Sequence, residues 1–286
     1  MIRRLCIIGV GLIGGSLARA LREQEACGEI VGCGRREAPL ELAVETGVVD
    51  RYTLDPAAAA RGADMVVLAV PLGAMEALMR AIRPALDANA VLTDVGSAKG
   101  AVLKAAGNVF DGVPENFVPG HPVAGTEYSG VEASFAELFD GRRVILTPTP
   151  RTSRAATARV RRMWEATGAE VAEMDAGHHD TVLAGTSHLP HVLAFNLVDS
   201  LARERDAAEA FTYAAGGFRD FTRIASSDPV MWRDICLANA DALLVALDHF
   251  GADLEAVRRA IESRDGDVLL AVFERARAAR ERWLQS

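Results

Sequence analysis

The sequence predicts an α/β chain in two parts, a mostly parallel sheet domain over residues 1–175 and an all-α domain over 176–286. Three observations carry this. Apolar runs alternate with helical patterns through the first half, which implies right-handed βαβ units. A glycine-spaced turn follows the first apolar run. From Asp175 onward strand signals fade and long stretches keep only helical periodicity.

The strands are expected at Leu5–Ile8, Glu29–Cys33, Met65–Val70, Ala90–Asp94, Asn116–Pro119 and Arg143–Thr147. Helical patterns fall between most of them, at Leu12–Arg22, Ala38–Thr46, Gly73–Leu86 and Lys99–Asn108. A helix at Thr152–Thr167 and a short strand at Glu170–Met174 close the first part. The second part carries helical stretches at Thr181–Glu204, Ala207–Tyr213, Pro229–Phe250 and Leu254–Gln285. So small a helical domain with so much apolar surface predicts association with a second copy of the chain.

The first turn reads Arg4-Leu5-Cys6-Ile7-Ile8-Gly9-Val10-Gly11-Leu12-Ile13-Gly14-Gly15-Ser16. A strand, a glycine turn and a helix in this order make a Rossmann-type dinucleotide-binding βα turn. Gly9 allows the tight turn, and Gly11 lets the N–H groups around Leu12 and Ile13 reach a pyrophosphate. Gly14 lets the helix lie close on the sheet. The helix N-terminus adds unpaired donors and the positive end of a dipole. Arg3-Arg4 before an apolar stretch superficially resembles a secretion signal, but four glycines interrupt the would-be apolar core.

In such a fold an acid at the end of the second strand binds the adenine ribose. Here Cys33 is followed by Gly34-Arg35-Arg36. Loss of the carboxylate and gain of two guanidinium groups suits a 2′-phosphate, so NADP is favoured over NAD. The bland reading is that both arginines simply face water.

Bulk properties narrow the class further. A net charge of −8 and a pI near 5.3 argue against nucleic acid or an anionic membrane as partner. No apolar run reaches the roughly eighteen residues of a membrane span. Cys6, Cys27, Cys33 and Cys236 show no CxxC spacing, which suits reduced thiols in the cytoplasm. The only lysines are Lys99 and Lys104.

Several segments have the composition of a reactive site. Val70-Pro71-Leu72 ends one strand at the edge where ligands bind in such sheets. Asp94-Val95-Gly96-Ser97-Ala98-Lys99-Gly100 ends the next with a serine among small residues. In Gly120-His121-Pro122 the proline biases His121 away from helix, so its imidazole is expected to project from a loop at that edge. A satisfied histidine in a tight turn is the alternative. Ser187-His188-Leu189-Pro190-His191 places two histidines on a helix expected to kink, without the third ligand a metal needs. Gly216-Gly217-Phe218-Arg219-Asp220-Phe221-Thr222-Arg223 suits capture of a carboxylate, or is a solvated helix start.

These segments together resemble the prephenate/arogenate (cyclohexadienyl) dehydrogenase family, and the likeness runs from end to end. It rests on GVGLIGGS, AVPL, TDVGSAKG, GHPVAGTE, SHLPH and GGFRDFTRIA in that order. The resemblance implies a dinucleotide domain followed by an all-α dimerisation domain; no regulatory domain or fused mutase is expected, because this sequence ends soon after the helical part. It implies oxidative decarboxylation of a cyclohexadienol, prephenate or arogenate, to 4-hydroxyphenylpyruvate or tyrosine. Hydride leaves the hydroxyl-bearing carbon, the hydroxyl proton goes to a base, and loss of carbon dioxide makes the ring aromatic. By similarity His121 is that base, and Ser97 binds the same oxygen or the nicotinamide ribose. Arg223 holds a substrate carboxylate, His188, His191 and Trp232 line the pocket, and Thr126 and Glu127 follow the catalytic loop. Glu127 is expected to pair with Asp220 or an arginine as a gate. Gly9, Gly11, Leu12, Ile13, Gly14, Arg35, Arg36, Val70, Pro71 and Leu72 contact the cofactor, and no metal is implied.

Two other readings compete. A β-hydroxyacid dehydrogenase or imine reductase shares the two-part plan, but many carry a catalytic lysine in the helical half, and this chain has none after Lys104. A non-catalytic NADP-binding sensor would keep the glycine turn and have no use for His121 beside Ser97 and Arg223.

Overall fold

Strand β1 (Ile2–Ile8) sends Leu5 and Ile7 to one side of the sheet and Cys6 and Ile8 to the other, all of them buried. This two-sided burial is what an interior parallel strand requires. In the computed structural model, which describes residues 1–285, β1 feeds α1 (Leu12–Glu23), then β2 (Cys27–Cys33) and α2 (Glu37–Glu45). Next come β3 (Arg51–Thr53), α3 (Pro56–Ala60), β4 (Met65–Leu68), α4 (Met75–Ile82), β5 (Val91–Asp94), α5 (Lys99–Phe110) and β6 (Phe117–Val118).

These six strands form one parallel sheet in the order β3-β2-β1-β4-β5-β6. The order reverses between β1 and β4, and the crevice at their carboxyl ends is where such sheets bind ligands. One apolar cluster covers each face. Leu17, Leu21 and Trp164 pack on the side of Leu5 and Ile7, and Met75, Met79 and Ile82 on the side of Cys6 and Ile8. The stretch that superficially resembles a secretion signal is thus an interior strand.

Two short elements lie outside the expected list. Strand β3 has three residues, too few to show an alternation. Helix α3 has a clearer signature, since Asp55 accepts the Ala57 N–H at 2.9 Å as its N-cap and Pro56 opens a run of alanines.

A second correction concerns the sheet itself. Residues 143–147 were expected in the main sheet, and His121 in a loop. Instead β7 (Gly120–Pro122), β8 (Arg143–Leu146) and β9 (Glu170–Glu173) form a separate three-stranded sheet, with β7 antiparallel to β8. The bias that proline imposes on His121 is toward extended backbone, which serves a strand as well as a loop. Pro122 is tolerated because β7 is an edge strand, paired only with β8. Helix α6 (Arg154–Glu165) links β8 to β9.

Among the described residues, the regular elements after β9 are all helical. They are α7 (Ala176–Leu183), α8 (Leu189–Ala202), α9 (Ala207–Thr212), α10 (Gly216–Thr222), α11 (Pro229–Ala238), α12 (Ala240–Glu262) and α13 (Gly266–Leu284). The kink expected near Pro190 takes the form of a π-turn over Ala184–His188 joining α7 to α8. Pro190 cannot donate to the carbonyl four residues back, and widening the turn accommodates that loss. The helix expected over 229–250 stops at Asn239, and the last stretch breaks before Asp265, whose side chain caps α13. By internal contacts the chain forms two units, Met1–Ala240 and a second beginning at Asp241. In the second, Leu244, Val245, Leu254, Ile261, Leu270 and Phe273 are exposed.

Candidate active site

The glycine turn is held by packing that leaves no room for side chains. Gly9 has φ +101°, and a Cβ there would lie 2.1 Å from the Ala69 carbonyl oxygen. A Cβ on Gly14 would lie 2.2 Å from the Gly9 carbonyl oxygen. At Gly11, by contrast, a Cβ would meet nothing within 4 Å. Gly11 precedes α1, whose first turn carries no acidic residue and no side-chain cap. A crowded turn with an open, uncapped amide end fits a dinucleotide pyrophosphate. Gly9 packs against Ala69 and Val70, and Gly96 against Leu72, so the glycine turn, Val70–Leu72 and the Ser97 turn adjoin along one sheet edge. Arg35 and Arg36 follow β2 with exposed side chains.

Beyond β5 the edge is clamped by a buried ion pair. Lys99 Nζ donates to Asp94 Oδ2 and to the Gly120 carbonyl, each at 2.6 Å. Asp94 Oδ1 accepts the Gly120 N–H at 3.2 Å, and Oδ2 accepts the Gly96 N–H at 2.7 Å. Both backbone groups of Gly120 are therefore held, and His121 follows directly. Ser97 lies between two clamped residues, Gly96 and Lys99. Burial, then the positive charge of Lys99 and the neighbouring His179 and His188, push the His121 imidazole well below its usual pKa. The ring is neutral at neutral pH, as a base must be.

His121 Nδ1 lies 2.9 Å from His179 Nε2, and His179 Nδ1 lies 2.8 Å from Asp180 Oδ1. Asp180 also accepts the Lys99 and Gly100 N–H groups, each at 2.8 Å. From α11's end, Asn239 Nδ2 donates to the Asp180 carbonyl at 2.8 Å and lies 3.1 Å from His188 Nδ1. Trp232 is edge-on to His188, with centroids 6.1 Å apart, and stacks on His191 at 3.5 Å. Burial lowers the His188 pKa to about 4. Burial also lowers that of His191, the bond to the Ser187 carbonyl opposes, and the Arg223 charge lowers it further. Arg223 in turn pairs with Glu127 at 3.3 Å.

Contacts thus run from His121 through His179, Asp180, Asn239, His188 and Trp232 to His191, which feels the charge of Arg223, and Arg223 pairs with Glu127. Of the two expected partners of Glu127, it is the arginine that the structure selects. Thr126 is exposed and its hydroxyl accepts the Tyr128 N–H at 3.2 Å. His188 Nε2 and Trp232 Nε1 are buried without a hydrogen-bond partner among the described residues. Asn239 can only donate to His188 Nδ1, so Nε2 bears the hydrogen, and both groups are orphaned donors. Such donors call for an acceptor that the surrounding side chains do not supply, from water or a ligand.

The sequence predicts no role for His179, Asp180 or Asn239, and none for Asp94 and Lys99 although they lie in the segment that carries Ser97. The His178-His179-Asp180 triplet, directly after the last strand, was the one local signal.

Known proteins resemble this chain along its length. The family model for the prephenate dehydrogenase nucleotide-binding domain matches residues 17–173, and that for its dimerization domain matches 175–275. A cyclohexadienyl dehydrogenase of Zymomonas mobilis is 43% identical over 281 residues, covering 97% of this chain and 95% of that protein. Among solved structures, A. aeolicus prephenate dehydrogenase with hydroxyphenyl propionate and NAD+ superposes with a TM-score of 0.91 at 36% identity, covering 98% of each chain. Synechocystis arogenate dehydrogenase gives 0.81 at 28% identity, covering 98% of this chain and 99% of that one. Six ordered motifs, the parallel sheet with its glycine turn and two consecutive family-model matches converge, and the chain belongs to the prephenate dehydrogenase family of nicotinamide-dependent oxidoreductases.

Proposed function

We propose that this chain oxidatively decarboxylates prephenate, arogenate or both, with His121 as the base. The observation that carries the reading is the position of His121. It is buried and neutral, follows the clamp at the cofactor edge, and joins a line of side chains that runs to His191, which feels the charge of Arg223.

Gly9, Gly11, Leu12, Ile13 and Gly14 would hold the pyrophosphate, with Val70, Pro71 and Leu72 along the nucleotide's path. When bound, the nicotinamide supplies a hydride acceptor. His121 takes the hydroxyl proton as the hydride leaves, and Ser97 holds the same oxygen or the nicotinamide ribose. Arg223 binds a substrate carboxylate, and Glu127 occupies the guanidinium until the substrate arrives. His188, His191 and Trp232 wall the ring, while Thr126 and Glu127 border the entrance.

Arg35 and Arg36, beside Gly34 where an acid would favour NAD, support NADP as the preferred cofactor. The functional division falls between residues 175 and 176, where strands give way to helices. The exposed apolar residues of α12 and α13, together with the dimerization-domain match, support a homodimer through the helical domain. Four unpaired cysteines, Cys6, Cys27, Cys33 and Cys236, support the cytoplasm as its location.

Steady-state kinetics with both substrates and both cofactors tests these assignments together. We expect turnover of at least one substrate, with NADP giving the higher kcat/KM. His121→Asn is expected to lower kcat by about 10²–10⁴-fold while KM changes far less. Wild-type activity in that variant would remove His121 from its role.

A further inference from the structure

Accepting the reading above that His121 takes the hydroxyl proton, the hydrogen bonds behind it determine which ring nitrogen does so. The assignment starts at Asp180. Burial pushes its carboxyl up, but the His179 ring and the Gly100 and Lys99 N–H groups outweigh this and hold it below the usual carboxylate range. An ionised carboxylate only accepts, so His179 Nδ1 carries a hydrogen. A neutral imidazole carries a single ring hydrogen, and here Nδ1 already holds it. In the neutral ring Nε2 is then a lone pair, and the hydrogen in the 2.9 Å contact belongs to His121 Nδ1. His121 Nε2 is left bare.

We propose that His179 and Asp180 are positioning residues that lock His121 in its Nδ1–H tautomer and so make Nε2 the proton acceptor. A free imidazole holds its hydrogen mainly on Nε2, where it would block the uptake. When Nε2 takes the hydroxyl proton, no other bond need change. The imidazolium keeps its Nδ1–H bond to His179, whose own hydrogen is held by the carboxylate, so the new charge is stabilised along the line. Both ends of the line are fixed. Gly120, next to His121, is gripped through its N–H and carbonyl by Asp94 and Lys99. Helix α7, which carries His179 and Asp180, is capped by Asp175 and tied by Asn239 to the Asp180 carbonyl.

Nitrogen-15 NMR of the full chain labelled at histidine, with and without NADP, reads the tautomer directly. Comparison with His121→Asn assigns the signals. We expect wild-type His121 to show a protonated Nδ1 and a bare Nε2. In His179→Phe the hydrogen moves to Nε2, and kcat falls by about 10²-fold or more, as a wrong tautomer does in other histidine-based sites. KM should stay within about threefold, since binding is untouched. His179→Gln, whose side-chain oxygen can accept from Nδ1, should restore the Nδ1–H tautomer and at least about tenfold of the lost kcat. Wild-type His121 carrying its hydrogen on Nε2 would overturn the proposal, as would a folded His179→Phe variant with undiminished kcat. The NMR measurement needs no turnover. Failure of the functional reading would show itself separately, as no dehydrogenation of either substrate.

Discussion

Two ion pairs belong to this site, and they are opposite in kind. Lys99 and Asp94 are both fully buried, 2.6 Å apart, and each makes a further bond to the backbone of Gly120. Arg223 and Glu127 touch at a single 3.3 Å contact, with the guanidinium 60% exposed and the carboxylate 33%. Burial makes the first pair a fixture. Burial pushes the Lys99 ammonium below its usual pKa while Asp94 opposes, so the two charges are tolerated only together. Exposure leaves the second pair weak, because water and salt compete for both partners. The same chemistry therefore fixes the backbone beside His121 in one place and, on the proposed reading, leaves a guanidinium able to exchange its partner in the other.

Breaking the buried pair should have the largest effect. Lys99→Ala strands a carboxylate in a dry interior, and we expect a loss of about 3–5 kcal/mol in urea unfolding. A double variant, Lys99→Met with Asp94→Asn, removes both charges and should recover part of that stability. It should not recover kcat, because Gly120 loses its charged clamp and His121 its position. Full recovery of both would mean that the pair serves stability alone.

The buried histidines sharpen the contrast through pH. The His121 pKa lies well below the usual value, that of His188 is about 4, and that of His191 is lowered, all chiefly by burial. These rings stay neutral in the folded chain while the unfolded chain takes up protons below about pH 6.5. The unfolded state binds more protons in that window, so stability is complete above it and is lost as pH falls toward about 4. The slope should be about 1.4 kcal/mol per pH unit for each histidine involved. Urea unfolding measured at pH 7.5, 6 and 5 reads it, and a flat profile would mean these rings are hydrated.

The sequence made the sheet domain legible because its signals are local. A turn that needs φ +101° at Gly9 and close packing at Gly14 is written in glycines a few residues apart. His121 was legible for the same reason, from its neighbours in GHPVAGTE. His179, Asp180 and Asn239 were not, because their roles arise from contacts across 58 to 81 residues of chain. The second sheet was missed on similar grounds. An extended residue before proline suits either a loop or a strand, and only pairing with β8 decides between them. Helix α3 is a different case, since Asp55, Pro56 and four alanines spell out a capped helix too short to be noticed by periodicity.

The smallest effects belong to the exposed pair, and they test whether exposure implies function. Arg223→Ala removes a partly solvated group that supports no buried neighbour, so stability should change by less than about 0.5 kcal/mol. If Arg223 binds a substrate carboxylate, the lost charged hydrogen bonds are worth about 1.5–3 kcal/mol. KM should then rise by at least about tenfold, with kcat changing less. Glu127→Gln should do less still, because a neutral amide can hold the same place without competing for the guanidinium. We expect its KM to lie within about threefold of wild type, on the scale of an exposed pair worth less than about 1 kcal/mol. Raising the ionic strength should bring the wild-type KM closer to that of the Gln variant, since salt screens the pair only while its carboxylate is charged. A marked loss of stability in either variant would place Arg223 and Glu127 beside Lys99 and Asp94 as structural elements, and the distinction drawn from burial would fall.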